Sequence, residues 1–308
     1  MTVAALAPAP AAESILQAIG NTPLVRLHLP GVPAGVELWG KCEWFNPGGS
    51  VKDRTALSLV TEGERSGALV RGRTVIDSSS GNTAVGLALV GRARGYPVEL
   101  VMPSSVGAER QRLCRAYGAK ITYTDAASGS DGAIQRVREI VAAQPDRYFY
   151  ADQYRSEANP LAHYRGTGPE VWEQTGRRLT HFVAGLGTTG TLMGTGRFLH
   201  EGGRGVSVVA VEPDHGLHGI EGLKHLETAL VPEVYRPDVQ DARVSVTTED
   251  AYAACAEVLE SDGLFVGHSA GAALWAAREV AREAREGVVV ALLPDGGERY
   301  LSGPEPTR

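Results

Sequence analysis

The stretch His181-Phe182-Val183-Ala184-Gly185-Leu186-Gly187-Thr188-Thr189-Gly190-Thr191-Leu192-Met193 decides the fold. An apolar strand over 181–184 runs into a glycine-rich turn and then into a helix over 191–201. Glycine lets a backbone approach a phosphate closely, and the partial positive charge at a helix N-terminus supports the phosphate charge. Strand, turn and helix form the unit from which parallel sheets are built. The unit recurs outward in both directions. Further strands are predicted at 36–43, 74–77, 98–102, 120–124, 206–211, 264–267 and 288–293. Further helices are predicted over 50–65, 83–94, 108–117, 132–143, 161–175, 248–261 and 270–285. Val206-Ser207-Val208-Val209-Ala210-Val211 and Val288-Val289-Val290-Ala291-Leu292-Leu293 are continuously apolar, as strands covered on both faces must be. The expected fold class is α/β, with two doubly wound parallel-sheet lobes, a joint near 150–160, and functional loops at the carboxyl ends of the strands.

Composition narrows the function classes. The 308 residues are 43% hydrophobic and 21% charged, with a net charge of −6. That balance is globular. It lacks the basic excess of a chain that grips nucleic acid, so no nucleic-acid partner is expected. Cys42, Cys114 and Cys255 form no CxxC pair, which argues against a disulfide framework or thiolate zinc and for a reducing cytoplasm. There is no HExxH. His215, His218 and His225 lie close together but are not expected to hold a metal. No uncharged apolar run is long enough to span a membrane. Residues 1–13, rich in Ala and Pro and without a basic region, read as a flexible tail and not as a signal peptide.

Four loops carry chemistry. In Asn46-Pro47-Gly48-Gly49-Ser50-Val51-Lys52-Asp53-Arg54, Ser50 is a good N-cap, which puts Lys52 in the first helical turn. The positive end of a helix disfavours an ammonium there and favours a neutral, nucleophilic amine; otherwise Lys52 is a solvated surface lysine. Ser78-Ser79-Ser80-Gly81-Asn82-Thr83 offers hydroxyls and N–H groups at a helix start, either as a carboxylate or phosphate cradle or simply as caps. Gly185–Gly190 matches the dinucleotide pattern GxGxxG, with Glu212 at about the spacing of a ribose-binding acid, so an NAD-dependent dehydrogenase is the rival reading. It is not a Walker A loop, because Thr191 stands where a lysine is needed. In Gly267-His268-Ser269-Ala270-Gly271-Ala272, Ser269 either caps a helix or donates to a ligand.

Taken together and in order, these loops resemble the cysteine synthase family of fold-type II pyridoxal 5′-phosphate (PLP) enzymes. Ile19-Gly20-Asn21-Thr22-Pro23-Leu24-Val25, Gln153, Asn159-Pro160 and His163-Tyr164-Arg165-Gly166-Thr167-Gly168-Pro169-Glu170 add to the match, which runs from about residue 14 to 302. The variant Gly187-Thr188-Thr189-Gly190-Thr191 is similar to the cysteine synthase M branch. The resemblance implies the tryptophan synthase β-like architecture, with a larger lobe of 14–46 plus 155–308 and a smaller mobile lobe of 47–154. It implies that Lys52 holds PLP covalently and shuttles the α-proton, and that Gly187, Thr188, Thr189, Gly190 and Thr191 bind the cofactor phosphate. Asn82 would bond the ring hydroxyl, and Ser269 would face the ring nitrogen. Ser79, Ser80, Thr83 and Gln153 would hold the substrate carboxylate. Lys224, which aligns loosely with a segment carrying an arginine in that branch, would meet a phosphate leaving group. A serine beside the ring nitrogen leaves it largely unprotonated, which suits β-elimination better than transamination.

The implied activity is β-replacement on O-phosphoserine or O-acetylserine by sulfide or a thiocarboxylated sulfur-carrier protein, giving L-cysteine, in a homodimer. Cystathionine β-synthase-like and serine dehydratase-like chemistries are the alternatives within the fold type. Two positions depart from the pattern: Ala270 replaces the usual Ser or Thr, and 104–110 is looser than the family loop, which leaves the sulfur donor open.

Overall fold

The computed structural model describes residues 11–301; residues 1–10 of the expected tail lie outside the described residues. Ten strands are described: β1 Leu24–Arg26, β2 Gly35–Cys42, β3 Thr74–Ser78, β4 Val98–Pro103, β5 Lys120–Thr124, β6 Tyr148–Tyr150, β7 His181–Gly185, β8 Ser207–Pro213, β9 Ala242–Val246 and β10 Glu286–Leu293. The helices are α1 Lys52–Arg65, α2 Asn82–Arg94, α3 Ala108–Ala116, α4 Gly129–Ala143, α5 Ala158–Ala162, α6 Gly168–Gln174, α7 Gly190–Glu201, α8 Thr248–Asp262 and α9 His268–Ala284. Among the described residues no helix is long and apolar enough to cross a membrane.

The strands form two sheets. One has the order β1-β2-β10-β7-β8-β9 and the other β5-β4-β3-β6. Every pairing is parallel except β1 against β2. Both sheets are covered on both faces. In the larger sheet, Val289, Ala291, Val183 and Val209 pack toward α8 and α9, while Val290, Phe182, Ala184 and Val208 pack toward α6 and α7. In the smaller sheet, Val75 and Leu100 face α1 and α2, and Ile76 and Val101 face Ala133 and Val137 of α4. Alternate residues of one strand therefore enter two cores, which is why successive positions such as 75–76, 100–101, 182–184 and 289–291 are all apolar.

The sequence pattern errs at the edges. The run 264–267 is no strand: only Val266 makes a bridge, to Gly296. Both sides of β10, the neighbouring strand, are already taken by β2 and β7. Conversely β1, β6 and β9 carry no long apolar signal. Edge strand β9 is largely exposed, with only Val246 buried, so it needs only one apolar face. The helix expected over 161–175 starts at Ala158 and is interrupted by a π-helical turn, His163–Thr167, a distortion that often marks functional positions.

Candidate active site

A cavity of about 740 Å³ lies between the sheets, lined by the loops that follow β3, β4, β6, β7, β8 and β10. Lys52, Ser79, Ser80, Asn82, Thr83, Gln153, Gly187, Thr188, Thr189, Thr191, Lys224 and Ser269 all line it. Gly190 does not. It packs against the Asn159 side chain so closely that any Cβ would collide with the amide.

Lys52 is the first residue of α1, and its N–H donates to Ser50 Oγ at 3.2 Å. Val51 occupies the cap position expected for Ser50. The helix start is tied to the larger sheet by Val51 N–H donating to Pro294 O at 2.9 Å. Burial pushes the Lys52 ammonium below the usual lysine range, with Asp295 and Glu43 opposing the shift. A neutral amine is thereby favoured.

The turn after β7 has Thr189 in the left-handed region at φ 67°, and its buried Oγ1 has no partner. Gly187 sits against Gly222 O, where a side chain would strike backbone. Thr188 Oγ1 accepts from Asn159 Nδ2 at 3.1 Å, and Thr191 Oγ1 lies 3.3 Å from His163 Nε2. First-turn N–H groups of α7, an orphaned hydroxyl and a lysine amine on one wall fit a phosphorylated aldehyde cofactor. The dinucleotide alternative loses its acid: Glu212 is buried, accepts from Leu226 N–H at 3.3 Å and pairs with Arg243 at 3.0 Å, and it does not line the cavity.

Opposite this turn, Ser79 Oγ accepts from Ala84 N–H at 3.2 Å. Thr83 Oγ1 donates to Gln153 Oε1 at 2.6 Å, and Gln153 Nε2 donates to Ser78 O at 3.2 Å. Gln153 thus braces the loop with most of its amide. Ser269 is the second residue of α9, and no side chain caps that helix, so its hydroxyl is left to the cavity. Lys224 is half-buried, with Nζ 5.1 Å from the Tyr154 ring centre, and burial lowers its pKa; it is not a solvated surface lysine.

The sequence pattern missed a fifth loop. Asp295, Arg299 and Tyr300 line the cavity after β10, and the continuously apolar strand before them was the available signal. Arg110, on α3 beside the smaller sheet, crosses the cleft to a bidentate pair with Glu221, with Nη2–Oε2 at 3.1 Å. His163 was missed because its role depends on the π-helical turn. Fully buried, it meets Thr55, Thr167 and Thr191, and burial keeps it neutral by pushing its pKa well below the usual value. Among the described residues no cluster of three or more His, Cys, Asp or Glu side chains is arranged to hold a metal, His215, His218 and His225 included.

Asp77 supports the substrate-side loop from beneath. Its carboxylate accepts from Ser78 N–H at 2.7 Å and Gln153 N–H at 3.4 Å. Burial, reinforced by Asp152, pushes its pKa up to about 8. The folded state therefore favours the protonated acid: this contribution is fully present below the unfolded pKa of about 3.9 and is lost as pH rises toward about 8. Asp77→Asn removes that titration. Its stability relative to the parent is expected to improve between those pH values, by at most about 1.4 kcal/mol per pH unit. Denaturant midpoints across pH measure this, and a pH-independent gap would refute it.

The fold, with the Lys52 amine and the glycine-rich N-terminal turn of α7 lining one cavity, fits a class, the enzymes that carry a phosphorylated aldehyde at the carboxyl ends of parallel strands. Residues 15–295 match the family model "Pyridoxal-phosphate dependent enzyme", and the chain belongs to that family; its cofactor is PLP. It is 50% identical to a cysteine synthase of Aquifex aeolicus over 95% of this chain and 91% of the relative. It is 40% identical to cysteine synthase B of Escherichia coli over 94% and 95%, respectively. Among solved structures, a cysteine synthase (OASS) from Entamoeba histolytica superposes with a TM-score of 0.93 at 34% identity, covering 98% of this chain and 93% of that one.

Proposed function

We propose that the enzyme is a cysteine synthase, catalysing β-replacement on an O-activated L-serine. The observation that carries this reading is the meeting, in one cavity, of the Lys52 amine, the α7 N-terminus and the Ser79–Thr83 loop, in a chain 50% identical to a cysteine synthase. PLP supplies a conjugated ring that accepts the electron pair freed when the substrate's α-C–H bond breaks. Lys52 holds the cofactor through its amine and, once released, takes the α-proton and later returns it. Gly187, Thr188, Thr189, Gly190 and Thr191 hold the phosphate, with Gly190 acting through the turn's shape. Ser269 gives the ring nitrogen a neutral partner, and Asn82 meets the ring oxygen. Ser79, Ser80 and Thr83, at the positive end of α2, receive the substrate carboxylate, braced by Gln153. The C–O bond to the leaving group breaks and a C–S bond to the sulfur donor forms.

The finer reading is that O-phosphoserine is accepted beside O-acetylserine, with Lys224 as the point charge for the phosphate. The supporting observation is a lysine on the cavity wall with no carboxylate in ion-pair range among the described residues. Lys224→Ala is expected to lower kcat/KM for O-phosphoserine about tenfold and to spare O-acetylserine. An equal loss on both substrates, or a parent inactive on O-phosphoserine, leaves O-acetylserine as the substrate. The same assays with sulfide and with a thiocarboxylated carrier protein identify the donor. The lobe of 47–154 is proposed to move against 14–46 plus 155–301, with Arg110–Glu221 as a contact made on closing; residues 302–308 of the expected larger lobe lie outside the described residues. We place the enzyme in the cytoplasm, as three free thiols suit a reducing compartment, and as a homodimer, whose state light scattering would report.

A further inference from the structure

We infer that Asp295, working with Arg299, is a positioning residue that locks the amide of Asn82 into a donor-only orientation toward the cofactor's ring oxygen. The inference rests on the reading above that Asn82 meets that oxygen. Asn82 Nδ2 donates to Asp295 Oδ2 at 2.6 Å, and Arg299 Nη1 donates to Asn82 Oδ1 at 2.9 Å. An amide has two N–H donors and one carbonyl oxygen. Here the oxygen is engaged by a guanidinium and one N–H by a carboxylate, which leaves the other N–H for a ligand. Rotating the amide by half a turn would set its oxygen against a carboxylate and its NH₂ against a guanidinium, so that orientation is excluded electrostatically.

Both partners are themselves held. Asp295 is 1% exposed. Tyr300 donates to its Oδ2 at 2.6 Å, and its backbone oxygen accepts from Gly267 N–H at 3.1 Å. Its Oδ1 lies against Gly267, where no side chain would fit, and has no partner. Arg299 also donates to Gly48 O. Asn82 belongs to α2, beside the smaller sheet, whereas Asp295 and Arg299 follow β10 of the larger sheet. The lock therefore exists only while the two sheets keep this relation.

A partner that can only donate favours an ionised ring oxygen over a hydroxyl. The Arg299 guanidinium on the amide oxygen draws electron density from the nitrogen and makes the free N–H a stronger donor, while Asp295 fixes the amide's orientation. The bound cofactor should accordingly absorb mainly in its long-wavelength visible band, and Asp295 should matter for that band without touching the ring.

The test is the absorption spectrum and PLP dissociation constant of the holoenzyme in the parent, Asp295→Ala, Asp295→Asn and Asn82→Ala. Asp295→Ala is expected to move absorbance from the visible toward the near-ultraviolet band and to raise the PLP Kd about tenfold. Asp295→Asn, which keeps an acceptor oxygen for Asn82, should retain most of the visible band. A merely structural role would not produce that rescue. If Asn82→Ala shifts the spectrum and Asp295→Ala does not, the inference is overturned while the role of Asn82 stands. If neither shifts it, the role of Asn82 falls and the inference with it. Should Asp295→Ala not fold, Arg299→Met removes the other half of the lock; a partial shift supports the inference and an unchanged spectrum overturns it.

Discussion

Lys52→Ala is expected to lower kcat/KM by on the order of 10³-fold or more, because in the proposed mechanism one substitution removes both the covalent anchor and the base that moves the α-proton. The cofactor phosphate site does not depend on Lys52, so the variant should still take up PLP, weakly, and fold as the parent does. The amine suits the role because burial lowers its pKa and because it begins α1, where the helix N-terminus disfavours a cation. Asp295 and Glu43 limit that effect, so the amine can bind a proton and also give it back. Borohydride reduction of the parent followed by peptide mass mapping should place the pyridoxyl group on Lys52. An adduct on another lysine, or near-parent turnover by the variant, would sink the mechanism.

Arg54→Ala should produce the largest loss of stability. Arg54 sits in a buried ionic cluster. Its guanidinium donates to Glu43 at 2.7 and 2.9 Å and to Glu170 at 2.6 and 2.7 Å. Lys41, fully buried, donates to Glu170 at 2.6 Å, to Thr22 O at 2.7 Å and to Gln174 at 2.8 Å. Two cations face two carboxylates, and removing one cation strands a buried negative charge. Such a loss costs about 3–5 kcal/mol, or roughly 5–8 °C in Tm for a chain of this size.

The cluster's hydrogen bonds and cations hold the Glu170 carboxyl down to about 2 against its burial. That stabilisation is complete above the ordinary glutamate pKa and is lost as pH falls toward about 2, so the penalty of Arg54→Ala should shrink in acid. Denaturant midpoints at neutral and acidic pH would show this; a penalty below about 1 kcal/mol would mean the cluster is solvated. Because Arg54 lies two residues after Lys52, the cluster also sets the angle at which α1 presents the lysine.

Much of the molecule was legible from local pattern. Strands such as β8 and β10 are buried on both faces along their central runs, 208–211 and 288–293, and so are apolar there at every position, which announces a parallel sheet. The turns at 46–54, 78–83, 185–191 and 267–272 each place Gly, Ser or Thr between a strand or tight turn and a helix, which is a local requirement and therefore visible in order along the chain. Family resemblance then attached a role to each loop. Other features were decided only by the tertiary structure. Edge strands β1, β6 and β9 exist because a neighbouring strand offers hydrogen bonds, whereas 264–267 meets only the turn after β10, through a single bridge from Val266 to Gly296. Asp295, Arg299 and Asn82 are separated by more than two hundred residues in sequence from their partner across the cleft, and Lys41 and Arg54 meet Glu170 across gaps of 129 and 116 residues. No periodicity encodes such contacts. Their energies come from burying charges that must find a partner, and which partner is near is settled by how two sheets pack, not by any stretch of residues.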